Sequence, residues 1–208
     1  MTLFITFEGV EGCGKSTQAR ALRQRIVRRG IPAVLTYEPG GTALGNRLRY
    51  VLKRRLQDKI SALGELFLFA ACRIQLVKEV IRPSLEQGKV VICDRFSDST
   101  IVYQGYGRGL NLETIEDIND LATEGIKPDL TVLLDIPADK GLDRKTAKAN
   151  DRFEAENIAF HHKIRDGYLK LAAEEPGRWL VIDATLPRAE IGKIIWDRVS
   201  RLLQIKTS

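Results

Sequence analysis

Gly9-Val10-Glu11-Gly12-Cys13-Gly14-Lys15-Ser16 sets glycines, a lysine and a hydroxyl at the spacing G-x-x-x-x-G-K-[ST], and Thr17 follows. Glycines let a backbone curl until its N–H groups converge, an arrangement that suits phosphate oxygens. A helix that starts there adds the positive end of its dipole. Lys15 is then placed to reach the terminal phosphates, and the Ser16 hydroxyl to sit on Mg²⁺. The spacing therefore predicts a site for a nucleoside triphosphate. Local context agrees: an apolar run at residues 3–7 reads as a strand before the loop, and Gln18-Ala19-Arg20-Ala21-Leu22 reads as a helix after it.

More chemistry stands behind other short apolar runs, at residues 33–37, 89–93, 130–136 and 179–182. Between them apolar residues recur at helical spacing: Ile115, Ile118, Leu121 and Ala122, then Ile158, Ile164, Tyr168 and Leu171, and last Ile191, Ile194, Ile195, Val199 and Leu202. The alternation predicts a three-layer α/β/α fold of the P-loop NTPase type, with a central five-stranded parallel sheet. One domain spanning residues 1–208 is expected, with a short lid at about residues 143–154. Ligands of such sheets lie beyond the carboxyl ends of the strands. There stand Glu38-Pro39-Gly40-Gly41-Thr42, Asp94-Arg95-Phe96 and Asp135-Ile136-Pro137. Asp94 is the candidate magnesium partner with Asp135 as its rival, and Arg95 offers a fork for a phosphate. Arg144, Lys145, Lys148 and Arg152 form a basic cluster ahead of a helix expected to begin at Glu154. A flap of that kind would bring positive charge to a triphosphate and shut out water.

Composition narrows the class. Hydrophobic residues at 44% with 29% charged describe a globular chain rather than a disordered one. No apolar run approaches the roughly 18 residues of a membrane span, and Glu8 interrupts the early one, so neither an anchor nor a signal peptide is expected. Cys13, Cys72 and Cys93 are odd in number and lack zinc spacing, which points to a reducing cytoplasm. The net charge of +6 would suit nucleic acid, yet holding polyphosphates demands the same balance. Neither D-x-x-G nor N-K-x-D occurs, which argues against a GTPase.

These pieces together resemble the bacterial thymidylate kinase family from the first strand to the last helix. The carrying motifs are Phe7-Glu8-Gly9 through Ser16-Thr17, Glu38-Pro39-Gly40-Gly41-Thr42, Asp94-Arg95-Phe96, Tyr103-Gln104-Gly105-Tyr106-Gly107-Arg108-Gly109 and Pro128-Asp129. The resemblance implies transfer of the γ-phosphoryl of ATP to dTMP, with Mg²⁺ and a homodimer whose surface includes the helix at residues 63–76. It implies a loop from Gly9 to Thr17 that binds ATP, with Arg144 on the adenine. For dTMP it implies Phe69 stacked on thymine, Arg73 on a thymine carbonyl, Thr100 and Gln104 at base and sugar, Tyr103 near the sugar and Glu38 alongside. Arg95 would hold the dTMP phosphate, and Glu11 would stand near the sugar hydroxyl and the metal. Where some members carry an arginine in the loop this chain has Gly12, so catalytic charge would come from the lid, with Arg152 nearest the phosphates. Catalysis would then rest on Lys15, Arg95, Arg152 and Glu11, and metal binding on Ser16 and Asp94.

Chemistry supports a phosphate acceptor. A phosphate monoester is mostly a dianion at neutral pH and attacks without losing a proton, so cations matter more than a base. A deoxynucleoside kinase is the alternative, using Glu38 as base; another nucleoside monophosphate kinase and a nucleotide-binding switch stand further off. Partners expected are ATP, dTMP and a second copy, with neither nucleic acid nor membrane.

Overall fold

A computed structural model describes residues 2–54, 60–144 and 151–205. Five strands form one wholly parallel sheet: β1 (Leu3–Glu8), β2 (Ala33–Tyr37), β3 (Val90–Asp94), β4 (Leu130–Asp135) and β5 (Trp179–Asp183), in the order β2-β3-β1-β4-β5. Parallel neighbours need crossovers, and the helices supply them: α1 (Lys15–Arg28), α2 (Ala43–Lys53), α3 (Ala62–Leu76), α4 (Arg82–Glu86), α5 (Ser97–Thr100), α6 (Leu112–Thr123), α7 (Ala138–Asp143), α8 (Ile158–Glu174) and α9 (Arg188–Leu202). The strand period of two sorts the core onto both sheet faces. Leu3, Ile5, Phe7, Val90 and Ile92 belong to one cluster with α1, α8 and α9, whereas Phe4, Val91 and Cys93 join Leu76, Val77, Ile81 and Phe96 in the other. Covering helices on both faces explain why β1, β3 and β4 read as near-continuous apolar runs.

Local signals set the helix starts. The Thr42 side chain accepts from the Gly45 N–H at 2.9 Å and so caps α2. Ser61 does the same for α3 through Gly64. The Asn157 side-chain oxygen Oδ1 accepts from the Phe160 N–H at 2.9 Å. That cap starts α8 at Ile158 rather than at Glu154, where the charge pattern had placed it. Two helices continue with a wider π-type winding, α3 through Val77–Ile81 and α5 through Ile101–Gly107. Such segments recur at functional sites. The second turns Tyr103 and Gln104 to the same side as Thr100, toward the carboxyl edge of the sheet. Among the described residues no helix is long and apolar enough to cross a membrane.

Candidate functional site

Beyond the carboxyl ends of β1, β2 and β3 lies a cavity of about 560 Å³. At one end is the glycine loop between β1 and α1. Gly9 and Gly12 have φ of 136° and 74°, in the left-handed region open to glycine. Space is as restrictive as backbone: a Cβ on Gly12 would stand 1.9 Å from the Gly141 carbonyl oxygen of α7, and one on Gly9 2.6 Å from that of Leu134. The loop is therefore packed closely against β4 and α7. Lys15 is buried, and its Nζ donates to the carbonyls of Gly9 at 3.1 Å and Val10 at 2.8 Å, with the Cys13 thiol at 3.4 Å. Val10 and Cys13 are buried spacers beneath the loop. Ser16 Oγ donates to Asp94 Oδ2, so a hydroxyl and a carboxylate meet where β1 and β3 end. Asp135 is engaged elsewhere, in a two-pronged pair with Arg165 at 2.7 and 2.8 Å.

Arg95 stands at the centre. Its φ of 74° is left-handed, a conformation that costs a non-glycine residue on the order of 1 kcal/mol or more and survives only where surroundings impose it. They do. The Arg95 N–H donates to the Phe7 carbonyl at 3.0 Å, Nη2 to Glu11 Oε1 at 2.7 Å, and Nη1 to Tyr168 Oη at 3.0 Å. Behind it the fully buried Glu8 accepts from the Phe96 N–H at 2.8 Å, from Ser99 Oγ at 2.6 Å and from Tyr168 Oη at 2.8 Å. Burial lifts the Glu8 carboxyl to about 7, with Arg95 pulling the other way.

The far end of the cavity is aromatic. Phe69 of α3, Tyr103 and Phe153 line it, with ring centres 6.0 Å apart for Phe69 and Phe153 and 5.7 Å for Tyr103 and Phe153. Among the described residues the buried Tyr103 hydroxyl has no hydrogen-bond partner, and burial raises its pKa, so it stays a neutral hydroxyl. Glu38 Oε1 is equally unpartnered among the described residues, while Oε2 accepts from Arg73 at 2.7 and 3.0 Å; burial raises this carboxyl too, against the pull of Arg73. Arg73 is 1% exposed and also donates to Asn119, the Phe96 carbonyl and Thr100. Of five guanidinium N–H groups, these bonds leave one on Nη1.

Fourteen residues singled out in the sequence line this one cavity: Glu11, Gly12, Gly14, Lys15, Ser16, Thr17, Glu38, Phe69, Asp94, Arg95, Thr100, Tyr103, Gln104 and Arg144. Arg144 ends α7 and donates to the Ala184 carbonyl at 3.0 Å, beside the loop after β5. Arg152 is placed differently from expectation. Its Nε donates to the Leu52 carbonyl at 2.5 Å and its Nη2 lies 2.6 Å from Glu65 Oε2, which draws the guanidinium into the wall beside Gln104 rather than toward the glycine loop. A buried carboxylate is the physical reason. Lys145 and Lys148 lie outside the described residues. Sequence reasoning missed Arg49, Lys53 and Phe153 on the lining, and Glu8 and Tyr168 behind it. Aromatic Phe153 directly after the basic cluster was the available signal; the others sit in segments that read as ordinary helix or strand.

Known proteins are similar to this chain in sequence and fold. The family model described as thymidylate kinase matches residues 7–195. A thymidylate kinase of Dehalococcoides mccartyi (strain ATCC BAA-2266 / KCTC 15142 / 195) is 51% identical over 205 residues, covering 99% of both chains. One from Geobacter sp. (strain M21) is 46% identical over 211 residues, covering 98% of this chain and 94% of its own. The crystal structure of thymidylate kinase from Ehrlichia chaffeensis superposes with a TM-score of 0.78 at 34% identity, over 95% of this chain and 98% of that one.

Proposed function

The chain belongs to the thymidylate kinase family, and from that premise we propose that it transfers the γ-phosphoryl of ATP to dTMP, releasing ADP and dTDP. The carrying observation is that one cavity joins a phosphate-cradling loop at one end to an aromatic pocket at the other, with Arg95 between. Residues 9–17 would hold the triphosphate, with Arg144 at the adenine. Phe69, Tyr103 and Phe153 would enclose the thymidine, with Thr100 and Gln104 at its polar edge. Glu38 Oε1, lacking a partner among the described residues, suits a donor on the acceptor nucleotide, and Arg73 with its single spare N–H acts mainly as a strut for Glu38 and Thr100.

A dTMP oxygen attacks the γ-phosphorus, a P–O bond forms, and the bond to the β,γ-bridging oxygen breaks as ADP leaves. No proton need move, because the attacking phosphate is already a dianion. What the residues must do is bring two polyanions together: Lys15 and the loop N–H groups take the donor's charge, and Arg95 takes charge shared by donor and acceptor. Ser16 and Asp94 are hard oxygen donors in direct contact, a set that fits Mg²⁺, which keeps waters and substrate phosphates for its other positions. Bound there, the ion would offset charge on the β- and γ-phosphate oxygens.

A coupled assay of ADP release over a panel of nucleosides and monophosphates tests the reading. Turnover of dTMP is expected, and turnover of thymidine alone would refute it. We place the enzyme in the cytoplasm, in keeping with three unpaired, buried cysteines. We further propose a homodimer through α3. That helix turns Phe69 and Arg73 inward yet leaves Leu63, Phe67 and Ile74 half exposed along one stripe. Phe67→Glu should reduce the light-scattering mass from two chains to one; an unchanged mass would discard this surface.

A further inference from the structure

Glu65 is a carboxylate that the nucleotide chemistry above does not use. It is 1% exposed, in the first turn of α3, and its Oε1 accepts from the Gln104 amide nitrogen at 2.6 Å. Two guanidiniums flank it: Arg152 Nη2 at 2.6 Å from Oε2, and Arg108 Nε at 3.4 Å from Oε1. Arg108 is held in turn by Glu156 at 2.6 Å.

We infer that Glu65 is a positioning residue that fixes which end of the Gln104 amide faces the pyrimidine, and so favours a base whose ring N3 carries hydrogen over one whose N3 is bare. The inference rests on the reading that the acceptor base lies between Phe69 and Gln104. A primary amide is nearly symmetric in shape, and its two ends can exchange by rotation about the last side-chain bond. An acceptor-only neighbour removes that freedom, because the flipped amide would press its carbonyl against a carboxylate. The NH₂ group must point to Glu65, and the carbonyl oxygen must point away. That oxygen takes no hydrogen bond from the described residues, and Gln104 borders the cavity. A carbonyl presented there accepts the N3–H of thymine. Facing cytosine it would meet a lone pair, and two acceptors would be left buried and unsatisfied. Sites built on such complementarity discriminate far better than pockets sorting by size. Arg108 and Arg152 neutralise the lock rather than touch the base.

Competing kinetics with dTMP and dCMP test this. In Glu65→Gln the new side chain can donate as well as accept, so the Gln104 amide regains both orientations. The ratio of kcat/KM for dTMP over dCMP should fall about tenfold or more. Glu65→Asp, still acceptor-only, should keep the ratio within about threefold even where overall rate drops. Gln104→Ala should collapse the ratio on its own, and adding Glu65→Gln to it should change the ratio no further. A wild-type ratio in folded Glu65→Gln, equal losses in Glu65→Gln and Glu65→Asp, or an unchanged ratio in Gln104→Ala would each overturn the inference. The last arm holds even should Glu65→Gln fail to fold. A wild-type enzyme without dTMP turnover would instead refute the functional reading.

Discussion

Glu8 carries a pH dependence that can be worked out from its surroundings. It ends β1 with no exposed surface, and its carboxyl rises from 4.5 to about 7 because burial disfavours the ion more than Arg95 and the hydroxyls of Ser99 and Tyr168 favour it; Asp98 adds to the rise. In the unfolded chain the same group titrates near its ordinary value. Between pH 4.5 and 7 the native state therefore holds a proton that the unfolded state has released. Stability contributed by this group is complete below 4.5, declines as pH rises through the window, and levels off above about 7. The decline amounts to about 3 kcal/mol. Glu8→Gln cannot ionise and removes it. Glu38, whose carboxyl is also raised, adds the same sign, and His161, lowered chiefly by burial, adds the opposite one; both are common to the two proteins. Urea unfolding at pH 5 and pH 8 should show the wild type losing about 2 to 3 kcal/mol relative to Glu8→Gln. Parallel pH profiles would refute the raised ionisation. Activity should report the same group. Ionised Glu8 accepts from three donors around Arg95, so wild-type kcat should fall below pH about 7, while Glu8→Gln, slower throughout, should lack that inflection. The second ionisation of dTMP, near pH 6, remains in both profiles.

Lys15→Ala and Arg95→Ala should each lower kcat by about 100-fold or more while the chain still folds, and near-normal turnover in either would contradict their electrostatic role. Phe153→Ala should raise the KM for dTMP about tenfold and leave that for ATP unaltered, since its ring closes the pocket against Phe69 and Tyr103; equal effects on both nucleotides would reject that placement. Gly12→Arg should not supply a catalytic charge in this chain. Its Cβ would lie 1.9 Å from the Gly141 oxygen at a φ of 74°, so lost stability and activity are expected, and a wild-type melting temperature would show that α7 can yield.

The glycine loop was legible because backbone demands and chemistry fall on consecutive residues. The strand ends were legible because a buried parallel strand leaves an unbroken apolar run, with charge just past it. Glu8 escaped because an acid at the end of such a run looks like the first exposed residue. Its partners Ser99 and Tyr168 are 91 and 160 residues away in sequence, and only the fold brings them together. Arg152 escaped for the converse reason. It shares a run with the other basic residues of 144–152, but its side chain answers to Glu65 on α3, which no local pattern links to it. The start of α8 went to Asn157 because a cap decides where helical bonding begins, whereas charge only biases the first turn.

Four arginines on this side of the molecule are matched to carboxylates: Arg73 to Glu38, Arg95 to Glu8 and Glu11, and Arg108 and Arg152 to Glu65. Such pairing answers a problem that precedes catalysis, since unpaired guanidiniums gathered this closely would repel one another and resist burial. The pairs differ in what substrate can displace. Glu8 is sealed behind Arg95 at 3.9 Å, whereas Glu11 grips the outer Nη2 at 2.7 Å and itself borders the cavity. On the proposed function, an arriving phosphate would compete with Glu11 and not with Glu8. Arg95 can thus exchange a carboxylate for a phosphate while the inner contacts through Tyr168 and the Phe7 carbonyl keep its backbone and orientation fixed. Preorganisation of that kind would let the site meet the charge of two nucleotides without reorganising as the phosphoryl group moves.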